Sequence, residues 1–198
     1  MRLFRFFRAF KIFTVYPRAK SILDIGSGRG LTLYYLKKYY KYTRTAGTQI
    51  SKNAFDFSRD KLGLEIYNKD LLGLPLSNAS FDLITIWHVL EHVHELGNYI
   101  QQLKTLLKRN GRIFIAVPNY TSKDAATYKE HWAAYDVPRH LYHFSPQSMR
   151  VLIKKHGLKL LSHQPMWYDS FYISMLSSKY ANGHTNLFTS FLNGLRSN

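Results

Sequence analysis

The stretch Ser21-Ile22-Leu23-Asp24-Ile25-Gly26-Ser27-Gly28-Arg29-Gly30-Leu31 decides how this chain folds. Ile22, Leu23 and Ile25 make a short apolar run, the pattern of a buried strand. An acid stands near its end, three glycines follow at alternate positions, and residues 31–39 read as a helix. This D-x-G-x-G-x-G turn lets the backbone pass sharply from strand to helix and leaves no Cβ in the way of a ligand lying across it. It is not the dinucleotide fingerprint G-x-G-x-x-G, because the third glycine comes one residue too early. An acid two residues before the first glycine suits a ligand with a cationic amino-acid part better than a pyrophosphate.

Working outward, residues 43–48 read as a second strand, and Ser51 is a suitable N-cap for a helix reaching about Lys61. Residues 64–69 read as a third strand ending at Asp70, and the β-branched and aromatic run 81–87 as a buried fourth. Tyr99, Ile100, Leu103, Leu106 and Leu107 recur at helical spacing, with Gly111 expected as the C-cap. Residues 112–117 make a fifth strand, ended by Pro118. The aromatic, histidine-rich stretch 119–144 has no clean period. A helix then runs from about Ser145 to His156 and stops at Gly157, and residues 158–163 and 171–176 read as two last strands. Alternating strands and helices predict βαβ units, an α/β fold of one domain over residues 1–198, and a parallel sheet covered on both faces.

The composition fits one globular domain with a full core: 198 residues, 45% hydrophobic and 16% aromatic. The absence of cysteine excludes disulfides, thiolate-ligated zinc and a cysteine nucleophile, and it agrees with a reducing cytoplasm. No apolar run approaches the roughly 18 residues of a transmembrane helix. The net charge of +16 is carried by residues such as Lys37, Lys38, Lys104, Lys108, Arg109, Arg112, Lys154 and Lys155, which fall mostly on helix faces. It favours an anionic acceptor, a membrane surface or a nucleic acid over a cationic partner.

Residues 1–16 are not a signal peptide, since Arg2, Arg5, Arg8 and Lys11 interrupt any apolar core. They read as an amphipathic helix with a basic stripe among Leu3, Phe4, Phe6, Phe7, Phe10 and Phe13. Such a helix suits peripheral contact with an anionic membrane. The competing reading packs it on the domain, where it closes the ligand pocket, and is preferred because so many aromatic rings need a core to hide in.

These elements resemble the class I S-adenosylmethionine (SAM) dependent methyltransferases. Residues 23–30 look like their first motif. The run 81–84, with Trp87-His88-Val89-Leu90-Glu91-His92-Val93, resembles the fourth-strand motif of the branch that includes the quinone-biosynthesis methyltransferases. The resemblance implies a Rossmann-like seven-stranded sheet of order 3-2-1-4-5-7-6, strand seven antiparallel and helices on both faces. SAM, leaving as S-adenosylhomocysteine, would lie across the carboxyl ends of strands one to four. Gly26, Gly28 and Gly30 would make room for its methionine end, and Asp24 would order the turn and the amino group. Asp70 would accept from the adenine amino group with Leu71 on the ring, while Trp87 and His88 line the methionine side. Where the family usually has an acid for both ribose hydroxyls, this chain has Gln49, which can accept only without charge.

Two patterns carry competing readings. His88-Val89-Leu90-Glu91-His92 matches H-x-x-E-H, a zinc motif that needs both histidines on one helix face. Here it follows a strand within one residue, so Glu91 and His92 are expected to pin the next turn, His94 to be exposed, and no metal to be held. In the 119–144 lid, Asp136, Arg139, His140 and His143, together with His88, are the candidates for positioning or deprotonating an acceptor, Arg139 holding an anionic group. The bland reading pairs Asp136 with Arg139 and leaves the histidines as filling. With no Asn/Asp-Pro-Pro-Tyr after strand four and no cysteine, nucleic-acid methylation is the weaker reading. A methyl transfer to a small-molecule or lipid-like acceptor stands first, and a cofactor-binding module without transfer activity stands second.

Overall fold

The apolar run of the opening stretch forms β1 (Ser21–Ile25), buried at every residue, in a computed structural model that describes residues 2–184 and Gly194. The chain divides into two compact units, Met1–Ala116 and Val117–Asn198. In the first, β1 is joined by β2 (Arg44–Thr48), β3 (Glu65–Tyr67), β4 (Phe81–Trp87) and β5 (Leu107–Ala116). All pair in parallel, in the order β3-β2-β1-β4-β5. The order reverses beside β1, whose neighbours are β2 and β4, which makes its carboxyl end a switch point. Ile22, Leu23, Ile25, Ile84 and Ile86 are essentially inaccessible, as strands covered on both faces must be.

The helices of this unit are α1 (Arg2–Val15), α2 (Leu31–Tyr39), α3 (Lys52–Asp56), which runs on as a π-helical turn over Phe57–Lys61, and α4 (Leu96–Leu106). Helix α4 buries Tyr99, Ile100, Leu103 and Leu106, the periodic face read from the sequence. Its end differs from the expectation. Leu107 already has strand geometry, and Gly111 lies within β5, where a Cβ would meet the Asp82 carbonyl at 3.0 Å and Leu107 Cγ at 2.7 Å. That glycine serves the approach of two strands, not a helix cap.

The second unit holds α5 (Lys123–Tyr128), α6 (Pro146–Lys155) and α7 (Trp167–Asn182). Helix α6 starts and stops as its sequence says. Ser145 and Ser148 form a reciprocal capping box, and Gly157 follows with φ +68°. Asn119 and Phe144 pair as a single parallel bridge, which joins the two ends of the 119–144 stretch.

The seven-stranded expectation is corrected: among the described residues the sheet has five strands. Residues 158–163 form no strand, and Leu160 and Leu161 are exposed, so no apolar face drives their pairing. Residues 171–176 lie inside α7. Their short apolar run carries no period that tells strand from helix. The polar residues do: Ser174, Ser177 and Ser178 are all buried, at the spacing of one helix face. Ser174 donates to Asp124, and Ser177 Oγ accepts from the Ala133 N–H at 2.8 Å. Ile173 packs on the cluster of Ala125, Tyr128, Trp132 and Ala134. Among the described residues no helix is long and apolar enough to cross a membrane.

At the amino ends of the strands, Asp82 clasps β1, β4 and β5. Its Oδ2 accepts from the Ser21 N–H and hydroxyl, both at 2.8 Å, and from the Lys20 N–H at 3.0 Å, while Lys108 Nζ stands 2.9 Å from Oδ1. Partial burial alone would raise this carboxyl, but Lys108 and the Lys20 and Ser21 donors outweigh it and hold it at about 2. A depressed folded value means stability that is whole above the unfolded value near 3.8 and lost as pH falls toward 2. We expect D82N to lose about 1 to 2 kcal/mol at neutral pH. Urea melts of both proteins between about pH 6 and about pH 2 should converge at the acid end. Parallel curves would remove Asp82 as the clasp.

Candidate functional site

The carboxyl ends of β1, β2 and β4 gather most of the residues singled out in the sequence. The glycine turn is tied to β2: the Gly26 N–H donates to Thr48 Oγ1 at 3.2 Å and the Ser27 N–H to the Thr48 carbonyl at 2.9 Å. Gly28 and Gly30 both have positive φ, +59° and +67°, yet they do different things. A Cβ on Gly30 would strike Leu64 Cδ1 at 2.6 Å and Ser58 Oγ at 3.1 Å, and one on Gly26 would strike Val89 Cγ2 at 2.6 Å. Those two glycines admit the protein's own side chains. At Gly28 a Cβ would meet nothing within 4 Å. Of the three, it is the position where a ligand can approach bare backbone.

Asp24 is buried beneath the turn, with the Thr85 hydroxyl donating to its Oδ1 at 2.6 Å. Burial pushes its carboxyl up to about 6, against the pull of Thr85, Arg8 and Arg5. Trp87 closes β4 with its ring stacked 4.6 Å from Phe114, and Arg8 of α1 lies over the same ring, 4.1 Å from its centroid. The Trp87 indole N–H is buried and has no hydrogen-bond acceptor among the described residues. His88 follows with φ +53°, a conformation rare outside glycine, and its Nδ1 stands 3.5 Å from the buried Glu91 carboxylate. Leu90–His92 is a short 3₁₀ turn, so the two histidines of H-x-x-E-H do not share a helix face. His94 is exposed, as expected.

Asp70 stands just after β3. Its Oδ1 accepts from the Leu71 N–H at 2.7 Å and from the Tyr99 hydroxyl at 3.1 Å, which leaves Oδ2 as the acceptor for a ligand. Leu71 itself is fully buried. Gln49 Oε1 accepts from the Ser51 N–H at 2.9 Å and so holds the entrance to α3. An open pocket of about 360 Å³, lined by Arg29, Ser51, Asn53, Ala54 and Phe57, lies between the glycine turn and that helix.

In the second unit, Asp136, Arg139 and His140 lie in one turn. Arg139 donates to Asp136 Oδ1, while Asp136 Oδ2 is 3.7 Å from His140 Nε2. The Ala134 carbonyl can only accept, so the His140 Nδ1 that meets it at 2.9 Å carries a proton. The pairing of Asp136 with Arg139 is the bland alternative, realised.

Sequence reading missed Arg8. In the sequence it is one of a basic stripe and carries no motif of its own. The available signal was its spacing from Ala9 and Ile12, the buried positions of α1, which turns Arg5 and Arg8 toward the strand ends.

The profile of the methyltransferase-domain family matches residues 2–163. A ubiquinone biosynthesis O-methyltransferase of Coxiella burnetii is 27% identical over 111 residues, 54% of this chain and 47% of the relative. This chain thus spans about half the length of that relative. Among solved structures, a SAM-dependent methyltransferase from Archaeoglobus fulgidus superposes with a TM-score of 0.65 at 22% identity, over 79% of this chain and 69% of that one. The 1,6-didemethyltoxoflavin-N1-methyltransferase of Burkholderia thailandensis, solved with bound 1,6-didemethyltoxoflavin and S-adenosylhomocysteine, gives 0.61 at 20%, over 81% and 70%. Both have the fold found here. With the glycine turn, the strand order and the family profile in agreement, the chain belongs to the methyltransferase-domain family.

Proposed function

We propose that this chain binds SAM across the carboxyl ends of β1, β2 and β4 and transfers its methyl group to a small-molecule or lipid-like acceptor. The observation that supports this most is the pair formed by Gly28 and Asp24: bare left-handed backbone at the switch point, above a buried acid. The other residues fit the same ligand. The orphaned Trp87 N–H and the Arg8 guanidinium suit the carboxylate of a methionine moiety, and Asp24 suits its ammonium. Asp70 Oδ2 would take the adenine amino group, and Gln49 would offer the ribose one uncharged acceptor. SAM supplies an activated sulfonium methyl, and the protein has chiefly to align an acceptor with it and exclude water. Asp136, Arg139 and His140 are the candidates for positioning the acceptor or taking its proton. The similarity to a ubiquinone biosynthesis O-methyltransferase and to a 1,6-didemethyltoxoflavin-N1-methyltransferase lends support to a small-molecule acceptor.

Calorimetric titration with S-adenosylhomocysteine tests the cofactor. A dissociation constant of micromolar order, about −8 kcal/mol, is expected. The two glycines should separate binding from folding. G28A retains the fold at a cost of about 1 kcal/mol for left-handed backbone and weakens binding at least about tenfold through its intruding methyl. G30A instead lowers the melting temperature, because its methyl meets Leu64 and Ser58. Equal binding by G28A and the parent would move the ligand elsewhere.

The raised carboxyl of Asp24 gives a second readout. Its neutral form is favoured in the free protein below about 6, whereas a bound ammonium favours the carboxylate. Affinity should therefore climb as pH rises from about 5 to about 7 and level off above, and D24N should flatten the profile. No heat at millimolar ligand would end the cofactor reading. Tight cofactor binding with no transfer to a broad set of phenol, amine and carboxylate acceptors would leave the binding-module reading.

A further inference from the structure

Helix α1 has two faces. Ala9 and Ile12 are buried, and Phe6 and Phe13 lie against α2, Phe6 5.7 Å from the Tyr35 ring and Phe13 stacked 4.8 Å from Tyr40. That much obeys the packing reading. The outer face does not. Leu3, Phe4, Phe7 and Phe10 are 64%, 52%, 42% and 50% exposed, and the first, third and fourth of these fall on one stripe at helical spacing. Phe6 also meets Tyr39 of α2 at 6.0 Å, and Tyr39 is itself 52% exposed, so the aromatic surface runs on to the neighbouring helix. Single exposed apolar residues are ordinary; a row of them on one helix marks an interaction surface.

The charge around this row says what it meets. The first 55 residues contain 12 of the 28 Lys and Arg and one of the 12 acids, the buried Asp24. Lys11 borders the stripe on α1, and Lys37, Lys38 and Lys41 are exposed on and just after α2. Two copies of so positive a surface repel each other. Phosphates would satisfy the lysines but leave Leu3 and the phenyl rings in water. A bilayer with anionic headgroups satisfies both sets at once, taking the rings at the acyl boundary and the cations at the phosphates. We propose that the outer face of α1, with the end of α2, docks on an anionic lipid surface.

The proposal stands apart from the cofactor reading, since vesicle binding is measured without SAM. The full chain is sedimented with phosphatidylcholine vesicles, with and without about one-third phosphatidylglycerol. Binding to the anionic vesicles is expected, falling at least about tenfold when salt rises from about 0.1 to about 1 M. F7S/F10S should reduce it at least about tenfold while keeping the melting temperature and the affinity for S-adenosylhomocysteine. K11Q should weaken it less. No binding to anionic vesicles overturns the proposal, as does binding that ignores F7S/F10S. A concentration-dependent dimer abolished by F7S/F10S would give the face to a second copy. Polyuridylate binding lost in the same variant, with vesicles ignored, would give it to nucleic acid. Either result overturns the lipid assignment.

Discussion

A carboxylate buried at the end of the central strand sets the terms for the first unit. Asp24 sits in β1, flanked on one side by Gly47 and on the other by Thr85. Removing such a group from water is unfavourable unless donors and cations surround it. Thr85 supplies a hydroxyl from the next strand, and α1 supplies the fields of Arg5 and Arg8. That need ties the N-terminal helix to the strand ends electrostatically as well as by packing. It also explains why the pull of two arginines and a hydroxyl still leaves the acid near 6: burial is the larger effect.

The legible parts of the fold are those fixed by local chemistry. Strands β1 and β4 show as apolar runs because both of their faces are covered, and α6 shows through Ser145, Ser148 and Gly157 because caps are written within one turn of sequence. What was illegible depends on distant partners. Residues 171–176 could pair as a strand or wind as a helix on local evidence alone. The fold decides it by giving buried serines to Asp124 and Ala133, and no one-dimensional period announces those partners. Gly111 was misread for the same reason, since its neighbour is an Asp82 carbonyl on another strand.

The glycine motif teaches the same lesson more finely. Its pattern read as three equal openings for a ligand. Two of the positions instead accommodate Val89 and Leu64, brought from elsewhere in the unit, and only Gly28 faces open space. Sequence shows that glycine is required; what it makes room for is a property of the packing. The candidate site residues divide likewise. Asp24 and Asp70 follow from their place at strand ends. Arg8 escaped because a helix that is basic every third residue does not say which cations turn inward.

Gln49 shows how one exchange reshapes a site without emptying it. An acid at the end of β2 would have to accept from the ribose and also face the N–H groups that open α3. On the proposed reading the glutamine divides these tasks: its oxygen holds the Ser51 N–H, and one lone pair remains for a hydroxyl. The lost charge removes roughly half the strength of a charge-assisted hydrogen bond. It also leaves Arg29, stacked 3.7 Å from the Phe57 ring, with no carboxylate at position 49 to answer it. The edge of the site around the glycine turn is therefore more positive than an acid at position 49 would make it.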